Sequence, residues 1–184
     1  MKTLILSVWH NWAKSPKWAI DKWASANNTN EATETNLIIN WLITKGIPWV
    51  KLIKVPLGLS LVDRIAWINK RFPKELEPFA FELHLDAWPI TARGASVWFL
   101  DWNAYTKWEG GQFLQKYTEI TWEPSRHVNP DTAGRWGRLW FVRDTKCASL
   151  LVELWFVTNT QDLKAIRLKA IDWIIEWVKN MNIK

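Results

Sequence analysis

The sequence predicts one α/β domain in which helices cover both faces of a single sheet. Three observations predict it. Apolar runs of strand length recur at residues 3–8, 79–85, 94–100 and 149–157. Between them the apolar residues repeat at helical spacing, as in Leu37, Ile38, Trp41, Leu42 and again in Leu61, Ile65, Ile68. The chain has 184 residues, 48% apolar and 23% charged, which suits one domain with a proper core and excludes a disordered chain.

The elements follow in order. Residues 3–8 read as a buried first strand that ends just before His10. Residues 11–33 are polar, with Pro16, and read as a long loop of the functional kind. A helix is expected from Glu34, stopped by Gly46-Ile47-Pro48. Residues 50–55 alternate apolar residues with lysine, a strand. Ser60 then caps a helix, with Pro73 beyond its end. The clearest strand is 79–85: Phe79, Phe81, Leu83 and Leu85 share one face, Ala80, Glu82, His84 and Asp86 the other. Residues 94–100 form another strand, and 104–118 a helix weakened by Gly110-Gly111. Residues 120–137 read as a second polar loop, 139–142 and 149–157 as strands, and 162–179 as a closing helix that buries Leu163, Ile166, Ala170, Trp173 and Val178.

Composition narrows the function classes. No apolar run approaches the roughly 20 residues a membrane helix needs. The opening segment lacks a cleavage-type sequence and reads as a strand, not a signal peptide. No linker or second domain is visible, so residues 1–184 are expected to be one domain. The lone Cys147 excludes an internal disulfide and is expected to pack as a small apolar residue. Net charge is +6 from scattered residues, which favours an anionic partner without selecting one.

Few side chains could carry chemistry. His10 closes the first strand and His84 lies near the end of the clearest one; strand ends are where ligands gather in α/β sheets. His127 sits in a polar stretch and is expected to be solvated. Glu153 stands alone in the apolar run Leu150-Leu151-Val152-Glu153-Leu154-Trp155-Phe156-Val157. An unpaired buried carboxylate is costly, so it needs a cation, a metal or a proton to hold. Glu34 by itself reads as a favourable charge at a helix N-terminus. Two histidines and one carboxylate leave a fourth position open on Zn²⁺, and a further carboxylate can move protons: the minimum for metal-assisted amide hydrolysis.

With those residues in order, the chain resembles the zinc-dependent N-acetylmuramoyl-L-alanine amidases, which include bacterial cell-separation enzymes and many phage endolysins. The resemblance spans nearly the whole chain. It rests on Ile5-Leu6-Ser7-Val8-Trp9-His10, on Glu34-Thr35-Asn36-Leu37-Ile38-Ile39, and on Leu59-Ser60-Leu61 with Arg64 and Asn69. It continues through Phe81-Glu82-Leu83-His84-Leu85-Asp86-Ala87, Gly94-Ala95-Ser96-Val97 and the stretch from Leu139 to Asn159. The resemblance implies a six-stranded twisted mixed sheet. It also implies His10, Glu34 and His84 as Zn²⁺ ligands, with Glu34 preferred to Glu31, and Glu153 as the catalytic carboxylate. The implied substrate is peptidoglycan, cut between the lactyl group of N-acetylmuramic acid and L-alanine. No nucleic-acid partner or membrane insertion is expected; action on the wall after synthesis in the cytoplasm is. Glu82 and Asp86 are expected to support His84, and Arg135, Arg138 and Arg143 are candidate contacts for peptide carboxylates. The rival readings are another zinc peptidase or deacetylase, and a non-catalytic aromatic and basic glycan-binding module.

One feature departs from the resemblance. The chain carries 17 tryptophans and only 7 glycines. Trp9 and Trp155 stand where the family has glycine, and Trp18, Trp23, Trp140 and Trp173 also fall at expected glycine positions. Trp67, Trp98 and Trp136 sit where an aromatic or apolar residue is ordinary. A UGA codon read as glycine in the source but written as tryptophan would produce both the surplus and the deficit.

Overall fold

The computed structural model describes residues 1–8, 24–73, 76–87, 91–134 and 137–181. A six-stranded mixed sheet forms the centre, in the order β4-β1-β5-β8-β6-β7. Strands β1 (Lys2–Val8), β4 (Val50–Lys54), β5 (Phe79–Asp86) and β8 (Ala148–Phe156) run parallel; β6 (Ala95–Phe99) is antiparallel to β8, and β7 (Ser125–Pro130) is parallel to β6. The carboxyl ends of β1, β5 and β8 therefore emerge side by side at one edge. That edge is where the candidate residues lie.

Both faces of the sheet are covered, as the alternation of elements requires. On one face, Leu4, Leu6, Phe79, Phe81, Leu150 and Val152 pack against helices α1 (Glu31–Lys45), α3 (Ala104–Thr121) and α5 (Thr160–Asn180). On the other, Ile5, Ala80 and Leu151 pack against α2 (Leu61–Arg71) and the short α4 (Trp140–Asp144). Ser60 caps α2 by accepting from the Asp63 N–H, as the sequence indicates. Cys147 is buried, and burial pushes its thiol up to about 12. No helix among the described residues is long and apolar enough to cross a membrane.

Three elements differ from the sequence reading. Helix α1 begins at Glu31, a turn before Glu34, because the Asn30 side chain accepts from the Thr33 N–H at 2.9 Å and sets the first turn there. A two-stranded ribbon, β2 (Ser25–Ala26) and β3 (Thr29–Asn30), leads into it. The stretch 120–137 is not all loop: it contains β7, an edge strand whose Ser125 and His127 are exposed, so it lacks the apolar signature of an inner strand. The run 139–142 is helical, not a strand. Phe141 and Val142 of α4 bury against the α2 side, and four apolar residues are too few to reveal a period.

The glycine pair in α3 divides by function. A Cβ on Gly110 would lie 2.9 Å from Val97 Cγ1 and 3.3 Å from Val128 Cγ1, whereas at Gly111 nothing lies within 4 Å. Gly110 thus lets α3 settle onto β6 and β7.

The tryptophans also divide. Trp177 packs on Phe79, Phe81 and Phe113 and donates its indole N–H to Glu109 Oε2 at 3.2 Å. Trp155 and Trp173 are fully buried with ring centroids 5.1 Å apart, yet neither indole N–H makes a hydrogen bond. Trp140 is exposed, and Trp67 and Trp98 are partly buried on the α2 side. Trp9, Trp18, Trp23 and Trp136 lie outside the described residues. Trp49 and Trp122 have positive φ, +67° and +63°, and each is 86% exposed.

Gly110→Ala is expected to cost about 1–2 kcal/mol through crowding, and Gly111→Ala to gain up to about 1 kcal/mol from helix propensity. Opposite shifts of the thermal midpoint check both.

Candidate active site at the carboxyl edge of the sheet

Ser7 of β1 and Glu82 of β5 are register partners, and so are His84 of β5 and Glu153 of β8. All point to the α2 face, where the apolar floor of Ile5, Ala80 and Leu151 gives way to polar side chains at the strand ends. Glu82 is fully buried there. Ser7 Oγ donates to its Oε1 at 2.9 Å, and Arg64 of α2 donates from Nη1 to the same oxygen at 2.8 Å and also to the Val8 carbonyl. Burial works to raise the Glu82 pKa, but Arg64, with His84 and Ser7, outweighs it and holds the carboxyl below its ordinary value. Glu82 is therefore an anion, and its Oε2 lies 3.2 Å from His84 Nε2.

That contact assigns the ring. An ionised carboxylate can only accept, so Nε2 carries the proton it takes, and Nδ1 is the ring nitrogen left facing the other carboxylates. Nδ1 faces Glu31 Oε1 at 3.5 Å and Glu153 Oε1 at 3.8 Å. The N-terminus of α1 delivers Glu31 over the strand ends, where its Oε1 also accepts from the Leu85 N–H at 3.0 Å. Glu153 is one-fifth exposed, and its buried Oε2 has no hydrogen-bond partner. Burial raises the Glu153 carboxyl well above the usual range, with Asp86 and Glu31 adding to the effect and Arg126 opposing it. Arg126 on β7 is tied to Asp86 at 3.0 Å and to the Gly94 carbonyl at 2.9 Å.

The sequence-derived residues meet this geometry unequally. His84 and Glu153 come together as expected. Glu34 does not join them: its buried carboxylate takes both Nε and Nη2 of Arg167, and Thr29 Oγ1 donates to it at 2.7 Å. The carboxylate brought to His84 is Glu31, one turn earlier, and the signal for it was the Asn30 cap. His10 lies outside the described residues. His127 is exposed, but on an edge strand and not in a loop. Arg143 is committed to the fully buried Asp131, Arg138 is exposed, and Arg135 lies outside the described residues.

Among the described residues no three histidine, cysteine, aspartate or glutamate side chains complete a metal site. The donor pair present nonetheless suits Zn²⁺. The 3.5 Å between His84 Nδ1 and Glu31 Oε1 is close to the roughly 3.3 Å edge of a tetrahedron with ligand bonds of 2.0–2.1 Å. Glu153 Oε1 stands beside it, 3.8 Å from His84 Nδ1.

The architecture is that of cell-wall amidase catalytic domains. More particularly, it is the fold of the N-acetylmuramoyl-L-alanine amidases. An N-acetylmuramoyl-L-alanine amidase from Clostridium difficile 630 superposes with a TM-score of 0.77, over 97% of this chain and 95% of that one, at 16% identity. The catalytic domain of CwlV, an N-acetylmuramoyl-L-alanine amidase from Bacillus (Paenibacillus) polymyxa var. colistinus, gives 0.76 with both chains fully covered at 13% identity. The catalytic domain of the CD27L endolysin targeting Clostridia difficile gives 0.71, both chains fully covered, at 19% identity. No family model matches the sequence, and no curated protein matches it by sequence.

Because Arg167 and Thr29 hold the Glu34 carboxyl below its ordinary 4.5 despite burial, Glu34 contributes stability above that pH and loses it as the carboxylate protonates in acid. The stability gap between the parent and Glu34→Gln should be constant above about pH 5.5 and close as the pH falls below 4.5. Denaturant titrations across that range check this.

Proposed function

We propose that this chain hydrolyses the amide between the lactyl group of N-acetylmuramic acid and L-alanine in peptidoglycan, as an N-acetylmuramoyl-L-alanine amidase using Zn²⁺. The observation that carries the reading is Glu153: a carboxylate only one-fifth exposed, with Oε1 3.8 Å from His84 Nδ1 and Oε2 without a hydrogen-bond partner. The whole-length likeness to amidase catalytic domains supports it.

His84 and Glu31 would hold the metal, with His10 as the further ligand that the sequence resemblance implies. Glu31 here replaces Glu34. Bound Zn²⁺ supplies an acidified water and a Lewis acid for the amide carbonyl. Glu153 accepts a proton from the attacking water and returns it to the leaving L-alanine nitrogen, a role suited to a carboxyl whose pKa burial has raised. Leu85 N–H fixes the Glu31 carboxylate, so this donor is in place before metal arrives.

Digestion of purified sacculi should release muropeptides with new L-alanine amino ends; new ends elsewhere in the peptide or a free glucosamine amine would favour the rival hydrolases. Glu153→Gln is expected to lower turnover about 10²–10⁴-fold with zinc content unchanged. Glu31→Ala should lose zinc and activity together, and Glu34→Ala should keep both.

A further inference from the structure

We infer that Arg64, on the far side of the sheet from α1, is a positioning residue that sets metal affinity through Glu82 and His84. This rests on the reading of His84 as a metal ligand. The chain of contacts is short and buried: Arg64 Nη1 to Glu82 Oε1 at 2.8 Å, then Glu82 Oε2 to His84 Nε2 at 3.2 Å, with the Arg64 side chain 4% exposed and Glu82 fully buried. Each oxygen of Glu82 has its own task. One takes the cation and the Ser7 hydroxyl; the other orients the imidazole. Without the guanidinium, a carboxylate between β1 and β5 would lose its counter-charge and its anchor, and the ring would lose the acceptor that keeps Nδ1 aimed at Glu31. Outer partners of this kind typically govern metal affinity by 10–100-fold. Arg64 also donates to the Val8 carbonyl, so the same side chain ties the end of β1 to the site.

Arg143 provides the control, because it too pairs with a fully buried carboxylate, Asp131, among groups that do not touch His84. Zinc dissociation constants measured by chelator competition on the full chain, below each variant's thermal midpoint, test the inference. Arg64→Met should weaken zinc about 10–100-fold, Glu82→Gln about tenfold, and Arg64→Lys less than Arg64→Met. Arg143→Met should lower the midpoint while zinc affinity stays within twofold. Equal zinc affinity in Arg64→Met and the parent, or an equal loss in Arg143→Met, overturns the inference. If Arg64→Met does not fold, the same limits apply to Arg64→Lys and Glu82→Gln. Failure of the parent to bind zinc removes the metal reading itself, a different result.

A separate observation concerns two tryptophans outside the six positions where resemblance suggests glycine. The geometry points to glycine at positions 49 and 122 of the functional polypeptide. Ile47 and Val50 close a turn through the Val50 N–H and the Ile47 carbonyl at 3.1 Å, which leaves Pro48 and Trp49 as its central pair. With φ of +67° at the second central residue, this is the proline-then-glycine arrangement of a type II turn. Trp122 ends α3 in the left-handed conformation, its N–H returning to the Thr118 carbonyl, the place where helices take glycine. The other non-glycine residues of positive φ are two asparagines, which tolerate it, and Glu77. Neither indole has a packing reason to be there, since both are 86% exposed.

The gene should therefore carry UGA at both positions, and peptides of the protein from its source should have the mass of glycine there. Trp49→Gly and Trp122→Gly should each raise the thermal midpoint by about 2–4 °C. UGG codons at the two positions, or midpoints that fall or stay unchanged, overturn the inference.

Discussion

A carboxylate buried between two parallel strands must be neutralised, and the arrangement of Glu82 follows from that constraint. Burial alone would drive Glu82 to hold a proton, and a protonated Glu82 could not accept from His84 unambiguously. Arg64 reverses the balance from α2, so the anion survives in the interior. Removing only one partner of such a pair typically costs about 3–5 kcal/mol, since the other is left uncompensated. The helix that supplies Arg64 is fixed by its Ser60 cap and by Ile65 and Ile68 in the smaller core, so local helix signals end up orienting a ring on a strand.

The strand ends collect negative charge. Glu31, Glu82, Asp86 and Glu153 all lie near His84, while Arg64 answers one and Arg126 another. Glu31 and Glu153 face the same imidazole nitrogen. Burial raises the Glu153 carboxyl, and the neighbouring Asp86, Glu31 and Glu82 carboxylates add to it.

The tryptophans show how a fold tolerates residues it did not call for. Trp177 satisfies its N–H on the buried Glu109 within an aromatic cluster with Phe79, Phe81 and Phe113. Trp155 and Trp173 pack edge to face but leave their N–H groups unmet in the interior. Trp49 and Trp122 reach water, and there the strain is carried by the backbone.

The sequence by itself determined the fold class, the inner strands and the polar residues lodged in them. Alternation in 79–85 and a lone carboxylate in 149–157 are local patterns, so His84 and Glu153 were legible as candidates, and the structure sets them side by side. The edge strand β7 was not, because a strand with one free side need not be apolar, and α4 was too short to show a period. Which of Glu31 and Glu34 lies beside His84 was not legible for a related reason: the two are a turn apart, and only the Asn30 cap and the path of α1 over the strand ends decide it. Likewise, Arg64 was legible as part of the α2 resemblance but not as the partner of Glu82. Tertiary structure alone passes it between β1 and β5, where a charge 18 residues away in sequence is waiting for it.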